Sequence, residues 1–261
     1  MALATKFAIR RRDDGSRFFD NSAIHIREAL DGSRKRLGVD HIDLYYVHRI
    51  DKSVPIEDTI GELARLVKAG AIGAIGLSEI APDTLRRAHD VHPIAAVQSE
   101  YSLWTRNPEL GLSQTCAELG AILVAFSPLA RGYLSGLLGG VLALAEAWGL
   151  KPATLAIAWT LTKAAHVVPI PGSRAAAHLE ECAAAADVDL TDAQLAEIER
   201  ALPLRFAAGE RSRCKPKCRR LSGTPTAHFP RSRRIGRVCP RADGGSGRLR
   251  RESRDNPPPI S

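Results

Sequence analysis

Cysteine, long apolar runs and a secretory leader are scarce or missing in this 261-residue sequence. The five cysteines are an odd and scattered set, which argues against a disulfide framework and fits a reducing cytosol: Cys116, Cys182, Cys214, Cys218 and Cys239. No apolar run approaches the roughly eighteen residues of a membrane span. The N-terminal stretch MALATKFAIRRRDDG has its charges after its apolar residues, the wrong order for a secretory signal. We therefore expect a cytoplasmic protein with no membrane partner.

The formal net charge of +8 is unevenly distributed along the chain. Residues 211–261 hold fifteen Lys and Arg against three Asp and Glu, a net charge of +12. The remaining 210 residues hold 22 basic and 26 acidic side chains, a net charge of −4. The overall positive charge therefore describes one end of the chain and indicates nothing about the partners of the rest.

Residues 204–261 form a basic segment in which apolar periodicity is lost. The segment is dense in Arg, Pro, Gly and Ser, a composition that predicts disorder. Its charge could attract RNA, DNA or an acidic membrane, but after residue 210 its only aromatic side chain for base stacking is Phe229. Four side chains could be read as zinc ligands, although their spacing matches no common zinc finger: Cys214, Cys218, His228 and Cys239. We favour a solvated or artefactual tail, and expect neither a metal nor a nucleic-acid partner.

Short apolar strands alternate with helical patterns through residues 1–203. One strand is predicted to end at Lys6, and others to cover 42–48, 71–79, 94–102 and 166–174. Residues 121–132 are predicted to form a strand that runs into a turn. Helices are predicted over 22–37, 55–70, 82–91, 108–119, 141–148, 152–163, 175–186 and 191–201. The charged residues 10–21 are predicted to form a loop. Strict alternation of this kind indicates parallel βαβ units, with about six strands.

Polar residues recur where the predicted strands end: Lys6, His48, Ser78, Gln98, Ser127 and Ser173. That recurrence favours a barrel with its site at one rim. The alternative is an open doubly wound sheet, and the lack of a G-x-G-x-x-G motif after an early strand argues against its Rossmann form. His48 ends the buried strand in IDLYYVHRID, where a catalytic histidine and a satisfied core histidine are both open interpretations.

Several motifs, in their expected order, resemble the aldo-keto reductases, and in particular the plant and bacterial members described as auxin-induced-like. The motifs are GVDHIDLYYVHRID, VPIEDTIGELARLVKAGAIGAIGLSE, PIAAVQSEYSLWTR, VAFSPLARGYLSG and VVPIPGSR. The resemblance covers residues 2–202. It implies a (β/α)8 TIM barrel that binds NADPH without a Rossmann domain and reduces aldehydes or ketones to alcohols.

The resemblance also implies the catalytic positions. Lys6, in ATK, matches the family's catalytic lysine, and His48, in YVHRID, matches the histidine that orients the substrate carbonyl. In the family a tyrosine gives the proton, and the lysine, held by an aspartate, lowers the pKa of that tyrosine. The family match favours the functional interpretation of His48. Trp104 and Arg106 lie just past a strand end, where lining the substrate pocket and packing are both open roles.

The cofactor positions implied by the resemblance fall into four groups. Ser78 and Gln98 match the residues that hydrogen-bond the nicotinamide carboxamide, and Phe126 matches the aromatic residue that stacks on the nicotinamide ring. The loop across the pyrophosphate comprises Ser127, Pro128, Leu129, Ala130, Arg131, Gly132, Tyr133, Leu134, Ser135 and Gly136. Gly172, Ser173 and Arg174 match the residues that bind the 2′-phosphate of NADPH, which points to NADP as the cofactor. The adenine side is matched by His178, Glu181 and Cys182.

The sequence departs from the family pattern in three places. It begins at the family's third strand, so the barrel is expected to be incomplete, without the first two strands and without the aspartate and tyrosine of the catalytic set. Tyr45 and Tyr46 do not replace that tyrosine, because they lie inside the strand that carries His48. The connection after Gly136 is shorter than ordinary loop variation explains. The basic segment does not resemble the family's C-terminus, which suggests a frameshift or a mis-joined exon.

Two functions remain open at this point. The first is an NADPH-dependent oxidoreductase for small-molecule carbonyl substrates, impaired by the missing acid and by open strand edges. The second is a non-catalytic nucleotide-binding or regulatory protein of the same fold. Neither interpretation predicts an oligomeric state.

Overall fold

A parallel sheet of six strands organises the part of the chain that the structure describes. The structure is a computed structural model that describes residues 2–136 and 138–204. Its strands are β1 (Ala4–Phe7), β2 (Ile9–Arg11), β3 (Arg17–Phe19), β4 (Ile42–Val47), β5 (Ile72–Ser78), β6 (Ile94–Glu100), β7 (Ile122–Phe126) and β8 (Val167–Ile170). Its helices are α1 (Ala23–Leu37), α2 (Ile56–Lys68), α3 (Pro82–Val91), α4 (Leu112–Leu119), α5 (Tyr133–Gly136), α6 (Gly139–Ala147), α7 (Pro152–Leu161), α8 (Ala176–Ala183) and α9 (Asp192–Ala201). Short 3-10 turns cover Asn107–Leu110, Ala130–Gly132 and Ala184–Asp187.

The strands of this sheet lie in the order β1-β4-β5-β6-β7-β8, and every neighbouring pair is parallel. Helices α1 to α4 connect successive strands, which is the βαβ arrangement that parallel pairing requires. The predicted fold class is confirmed as an α/β fold of the (β/α)8-barrel type, with six parallel strands in the described part. Within residues 2–136 and 138–204, β1 and β8 each pair with one strand of this sheet.

One face of the sheet is covered by helices. Its strand residues are fully buried and share one core cluster with apolar residues of α1, α2 and α3: Tyr45, Val47, Ile75, Leu77 and Val97. Alternate residues of a strand point to opposite faces, so this set alternates with the residues of the other face. Each large apolar side chain buried here contributes about 1.5–3 kcal/mol.

The opposite face, called the inner face here, includes the register partners Lys6, Tyr46, Gly76 and Ala96. Tyr46 is only 2% exposed, because its ring lies across Gly76, where a Cβ atom would overlap the ring. Glycine is therefore required at this position for packing. The inner face holds the one tyrosine ring that lies close to Lys6.

Toward β7 and β8 the inner face is open. Ile122, Val168 and Ile170 are 39%, 45% and 43% exposed, although all three are apolar strand residues. Their counterparts on the helix-covered face, such as Leu123 and Val167, are buried. The described sheet thus has one closed face and one face that is partly accessible to solvent.

Residues 9–19 form an antiparallel hairpin, so the prediction of a loop over 10–21 was wrong. β2 and β3 pair with Arg10 opposite Phe18, and Gly15 takes the positive φ of 80° that the turn needs. The guanidinium of Arg12 lies 4.6 Å from the centroid of the Phe18 ring. Cation–π contacts of this kind stabilise the two strands, although their many charged residues are typical of a loop.

Local signals set the ends of several helices. The side chain of Ser22 accepts a 3.3 Å hydrogen bond from the backbone N–H of His25 at the start of α1, and Gly38 ends that helix with φ of 67°. At the start of α9, Thr191 and Gln194 form a reciprocal capping box. These boundaries agree with the sequence-based helices over 22–37 and 191–201.

An ionic cluster centred on the buried Arg106 joins the segment after β6 to α7 and α9. The guanidinium of Arg106 is 2.7 Å from a carboxylate oxygen of Glu109 and 2.6 Å from one of Glu199, which also lies 3.3 Å from Lys163. Arg106 and Lys163 lie 5.2 Å and 4.0 Å from the ring of Trp159. These contacts give Arg106 a packing role, one of the two roles left open by the sequence.

Three further predictions from the sequence concern membrane-spanning helices, the cysteines and the basic segment. In the described ranges no single helix is long and apolar enough to cross a membrane; α6 and α7 reach that length and composition only as a pair bent by 92°. Cys116 and Cys182 are free and buried. The disorder predicted for 204–261, and its zinc and nucleic-acid alternatives, concern residues that lie outside the described part after Leu204.

Candidate active site

The predicted site residues of four strands come together at the carboxyl ends of the sheet. Lys6 is in β1, His48 directly follows β4, Ser78 is the last residue of β5, and Gln98 is its register partner in β6. Strands β4 and β5 lie between β1 and β6, yet the ammonium of Lys6 reaches across them and donates a hydrogen bond to Oε1 of Gln98. Because parallel strands end at the same edge, a chain separation of 92 residues becomes one direct contact.

Lys6 lies half-buried on the inner face. Its Nζ is 5.5 Å from the centroid of the Tyr46 ring. Burial lowers the pKa of Lys6, the positive charge of Arg49 lowers it further, and the carboxylate of Glu79 opposes both effects. Lys6 therefore loses a proton more readily than an exposed lysine.

His48 is held in its neutral form at physiological pH. Its backbone N–H donates a 3.1 Å hydrogen bond to the carbonyl oxygen of Phe7. Burial is the main cause that lowers the pKa of His48 to about 4, and the charges of Lys6, Arg49 and Arg17 act in the same direction. A neutral imidazole carries one N–H donor and one acceptor nitrogen, so His48 can donate a hydrogen bond without carrying charge.

Arg49 is a site residue that sequence patterns alone did not single out. Its Nη1 lies 2.6 Å from the backbone oxygen of His48 and 3.3 Å from the hydroxyl oxygen of Ser78, and donates to both. Arg49 therefore links two predicted site residues from neighbouring strands, and its charge lowers the pKa of Lys6 and of His48. The available signal was the position of Arg49 directly after the predicted strand over 42–48.

Glu79 ties the end of β5 to β6. Its φ of 56° is left-handed, a conformation that is uncommon for a residue with a side chain and frequent at functional sites. A carboxylate oxygen of Glu79 accepts hydrogen bonds from the hydroxyl of Ser99 (3.0 Å) and the backbone N–H of Glu100 (2.9 Å). These bonds fix the backbone next to Ser78.

The loop predicted to cross a pyrophosphate has an unusual backbone. Ser127, Ala130 and Arg131 have φ values of 52°, 47° and 60°, so three non-glycine residues within five positions are left-handed. Leu134 is fully buried and anchors the loop to the core. Such strain persists where the surrounding structure enforces it, and it concentrates at binding sites. Phe126, half-buried at the end of β7, directly precedes this loop.

Trp104 and Tyr133 form an aromatic pair between the segment after β6 and the start of α5. Their ring centroids are 4.6 Å apart with an interplanar angle of 63°, an edge-to-face geometry. Trp104 is half-buried, and Tyr133 is 36% exposed. This pair presents aromatic surface that could contact a small apolar molecule.

The residues matched to the adenosine half of the cofactor lie around the start of α8. Gly172, Ser173, Arg174 and His178 are exposed, and the hydroxyl of Ser173 accepts a 3.2 Å hydrogen bond from the backbone N–H of Ala175. Further along α8, the backbone oxygen of Glu181 accepts a 2.7 Å hydrogen bond from Thr154, and Cys182 packs against Ile157 and Ala158 of α7. The structure therefore places Cys182 in a packing contact, with 6% of its surface exposed.

Comparison with known proteins identifies the family of the chain. Residues 1–203 match the sequence profile of the Aldo/keto reductase family. The chain belongs to the aldo/keto reductase family. One relative, Probable aldo-keto reductase 1 from Glycine max, is 40% identical over 238 residues, which is 80% of this chain and 69% of the relative. The family classes the chain among the oxidoreductases, as the motifs indicated.

Solved structures of other proteins extend the comparison. An aldo/keto reductase from Klebsiella pneumoniae in complex with NADP and acetate is 26% identical, with a TM-score of 0.66 over 77% of this chain and 70% of that one. A thermostable aldo-keto reductase in complex with the inhibitor epalrestat is 31% identical, with a TM-score of 0.64. The match covers 69% of this chain and 66% of that one. The glycerol dehydrogenase from Gluconobacter oxydans shares the fold, with 22% identity and a TM-score of 0.74. The match covers 81% of this chain and 75% of that one.

Proposed function

We propose that the chain is an NADPH-dependent oxidoreductase that reduces small aldehydes or ketones to alcohols. The observation that carries the proposal is the contact between Lys6 and Gln98, beside His48 and Ser78, in a member of this family. A lysine, a neutral histidine and two polar residues at the carboxyl ends of parallel strands form a suitable site for a polarised carbonyl group.

The residues present fit NADPH. Arg49 donates to the hydroxyl oxygen of Ser78, so that hydroxyl can give its own proton to the carboxamide carbonyl, and the amide of Gln98 completes the recognition. Phe126 offers a half-buried ring for the nicotinamide, and the left-handed loop residues 127–136 would follow the pyrophosphate. Gly172 to Arg174 would bind the 2′-phosphate, with His178, Glu181 and Cys182 on the adenine side. When bound, NADPH supplies a hydride.

The chain's own residues prepare the carbonyl group. Neutral His48 donates an N–H to the carbonyl oxygen and fixes its direction. The ammonium of Lys6 stabilises the negative charge that develops on that oxygen. Trp104, supported by Tyr133, lines the pocket on the side of the organic substituent.

We propose that turnover by the 261-residue chain is slow, because three of its four tyrosines are buried and the ring of the fourth packs against Trp104. Tyr45 lies on the helix-covered face, with its hydroxyl 3.4 Å from the backbone oxygen of Ile26. Tyr46 is 2% exposed, and burial raises its pKa. The hydroxyl of Tyr101 donates to Glu109 at 2.9 Å, while Tyr133 packs against Trp104. A tyrosine that serves as the acid would instead be accessible and would have a lowered pKa.

The test combines an activity assay with a binding titration on the full chain. NADPH fluorescence should show saturable binding, and oxidation of NADPH with p-nitrobenzaldehyde should be measurable but slow. Lys6→Met should abolish the residual oxidation, since the ammonium acts on the substrate oxygen. NADPH binding should remain measurable but weaker, because Lys6 also donates to the amide of Gln98. Absence of NADPH binding would refute the proposed function, and rapid turnover would refute the proposal that turnover is slow.

A second candidate function is non-catalytic nucleotide binding by a regulatory protein of this fold. The placement of the four tyrosines favours it, while the cluster of Ser78, Gln98 and Arg49 is compatible with either candidate. Binding of NADPH without any oxidation by the wild-type chain would select this candidate. We propose the cytoplasm as its location in both cases, supported by the free thiols of Cys116 and Cys182; fractionation of a tagged chain would test this.

A further inference from the structure

The hairpin of β2 and β3 begins directly beside the candidate site. The carbonyl oxygen of Phe7 accepts the 3.1 Å hydrogen bond from the backbone N–H of His48, and β2 begins two residues further along the chain. After β3 the chain returns to the same point, where the backbone N–H of Asp20 donates a 2.9 Å hydrogen bond to the carbonyl oxygen of Ala8. Both ends of the hairpin therefore lie at the end of β1, next to His48.

The buried amide of Asn21 fixes the hairpin from its second end. Asn21 is 1% exposed, and its Nδ2 donates a 3.2 Å hydrogen bond to the backbone oxygen of Arg49. Its Oδ1 accepts a 2.6 Å hydrogen bond from the backbone N–H of Asp51. Movement of the hairpin away from this segment would leave a buried amide unpaired, which is costly, so the hairpin has a fixed place beside His48.

The two faces of the hairpin differ in character. Arg10 and Arg12 lie 5.5 Å and 4.6 Å from the centroid of the Phe18 ring, so one face joins its cations to an aromatic ring. Alternate residues of a strand point to opposite faces. The other face, called the second face here, therefore carries two pairs of register partners: Ile9 with Phe19, and Arg11 with Arg17.

The second face brings positive charge to the candidate site. The charge of Arg17 acts on His48, together with the charges of Lys6 and Arg49, and all three lower the pKa of the imidazole. Because the hairpin starts and ends next to His48, this effect agrees with its hydrogen-bonded position. The second face is thus the one whose guanidinium groups lie on the side of the site.

The arginine pair of the second face lacks a carboxylate partner in residues 2–136 and 138–204. Neither Arg11 nor Arg17 takes part in an ion pair there, whereas Arg10 lies 2.8 Å from a carboxylate oxygen of Asp20. Two like charges directly opposite each other destabilise a strand pair. Exposed guanidinium groups in this arrangement are suited to bind an anionic group through charge-assisted hydrogen bonds.

We propose that Arg17, assisted by Arg11, binds the carboxylate of substrates that carry a carboxylate and a carbonyl group at opposite ends. The inference rests on the proposed function, because the carbonyl group is the part that His48 would receive. Two residues along a strand place the arginine pair about 7 Å beyond the pair of Ile9 and Phe19. That apolar pair lies between the arginines and the base of the hairpin, where it would contact the organic middle of the substrate.

The experiment measures binding of two matched aldehydes to the full chain by isothermal titration calorimetry, without NADPH. 4-Formylbenzoate carries the carboxylate, and 4-formylbenzamide has nearly the same shape without the charge. We expect the dissociation constant of the benzoate to be about tenfold lower than that of the benzamide, and the difference to shrink when salt is raised. Equal dissociation constants, or binding of neither compound, would overturn the proposal.

Variants locate the charge that causes the preference. Arg17→Ala should raise the dissociation constant of the benzoate about tenfold and leave that of the benzamide unchanged, which also shows that the site is intact. Arg17→Lys keeps the charge without the planar fork and should retain part of the preference. Arg12→Ala is the matched control, because it removes the same charge from the opposite face of the hairpin. Equal losses in Arg17→Ala and Arg12→Ala would overturn the assignment to the second face.

The two proposals fail separately, because NADPH binding is titrated independently of aldehyde binding. A preference for the benzoate in a chain that binds no NADPH would support the carboxylate site and refute the reductase function. Binding of NADPH with equal affinity for the two aldehydes would support the reductase function and refute the role of Arg17.

Discussion

The ammonium of Lys6 donates a hydrogen bond to Oε1 of Gln98 across two intervening strands. This contact links the proposed catalytic lysine to a proposed cofactor-binding amide. Gln98 is 8% exposed and cannot turn away to water without leaving its partner. The position of the lysine and the recognition of the nicotinamide are therefore expected to be coupled.

Replacing the Gln98 amide should weaken NADPH binding. Gln98→Leu removes hydrogen bonds from a buried site at nearly constant volume, so we expect the dissociation constant for NADPH to rise about tenfold, or roughly 1.4 kcal/mol. Fluorescence titration measures it. Gln114→Leu is the matched control, because Gln114 is exposed on α4 and its side-chain amide donates a 2.9 Å hydrogen bond to Glu118. Equal effects of the two substitutions would contradict the assignment of Gln98.

The lowered pKa of His48 predicts a pH dependence of stability. Between the folded-state pKa of about 4 and the ordinary value of about 6.5, the unfolded chain binds a proton that the folded chain does not. The free energy of unfolding should therefore rise with pH through this window, and the contribution should be complete above it. Urea unfolding between pH 4 and 7 measures the slope, which His48→Gln should reduce.

His178→Gln provides the control for that measurement, because His178 is exposed on α8. The free energy of unfolding of the His178→Gln variant should depend on pH in the same way as that of the wild-type chain. A slope that persists unchanged in His48→Gln would show that other groups cause it.

Loss of the Arg106 cluster should destabilise the fold. Arg106→Leu leaves Glu109 and Glu199 without the buried guanidinium that bridges them, and we expect about 2 kcal/mol of lost stability, less than for a fully buried ion pair because the Glu199 side chain is 41% exposed. Arg86→Leu breaks an exposed pair with Glu118 and should cost less than about 1 kcal/mol. Urea denaturation compares them, and similar losses would refute the structural role of Arg106.

The packing of Tyr46 on Gly76 predicts opposite effects of two glycine substitutions. Gly76→Ala forces the Tyr46 ring away and should cost about 1–3 kcal/mol. Gly61→Ala, in α2, meets no atom within 4 Å and should stabilise by about 0.5–1 kcal/mol. Thermal melting distinguishes them; a neutral Gly76→Ala would contradict the packing.

Much of the fold follows from local chemistry in the sequence. The apolar runs ending in His48, Ser78 and Gln98, separated by helices with local stop signals such as Gly38, were enough to predict parallel strands with a site at their ends. Motif order was enough to indicate the family. These features are readable because periodicity and capping depend on residues close in the chain.

The sequence by itself thus determined the alternation, the strand-end positions of Lys6 and His48, and the family. Only the tertiary structure showed the hairpin of Arg10 and Phe18, the bridge of Arg49 to Ser78, and the contact of Lys6 with Gln98. Each of these depends on register between strands or on the direction of a long side chain, which residue type does not specify. Such contacts are decided when separate strands are brought side by side, because the whole core then fixes which side chains share one edge.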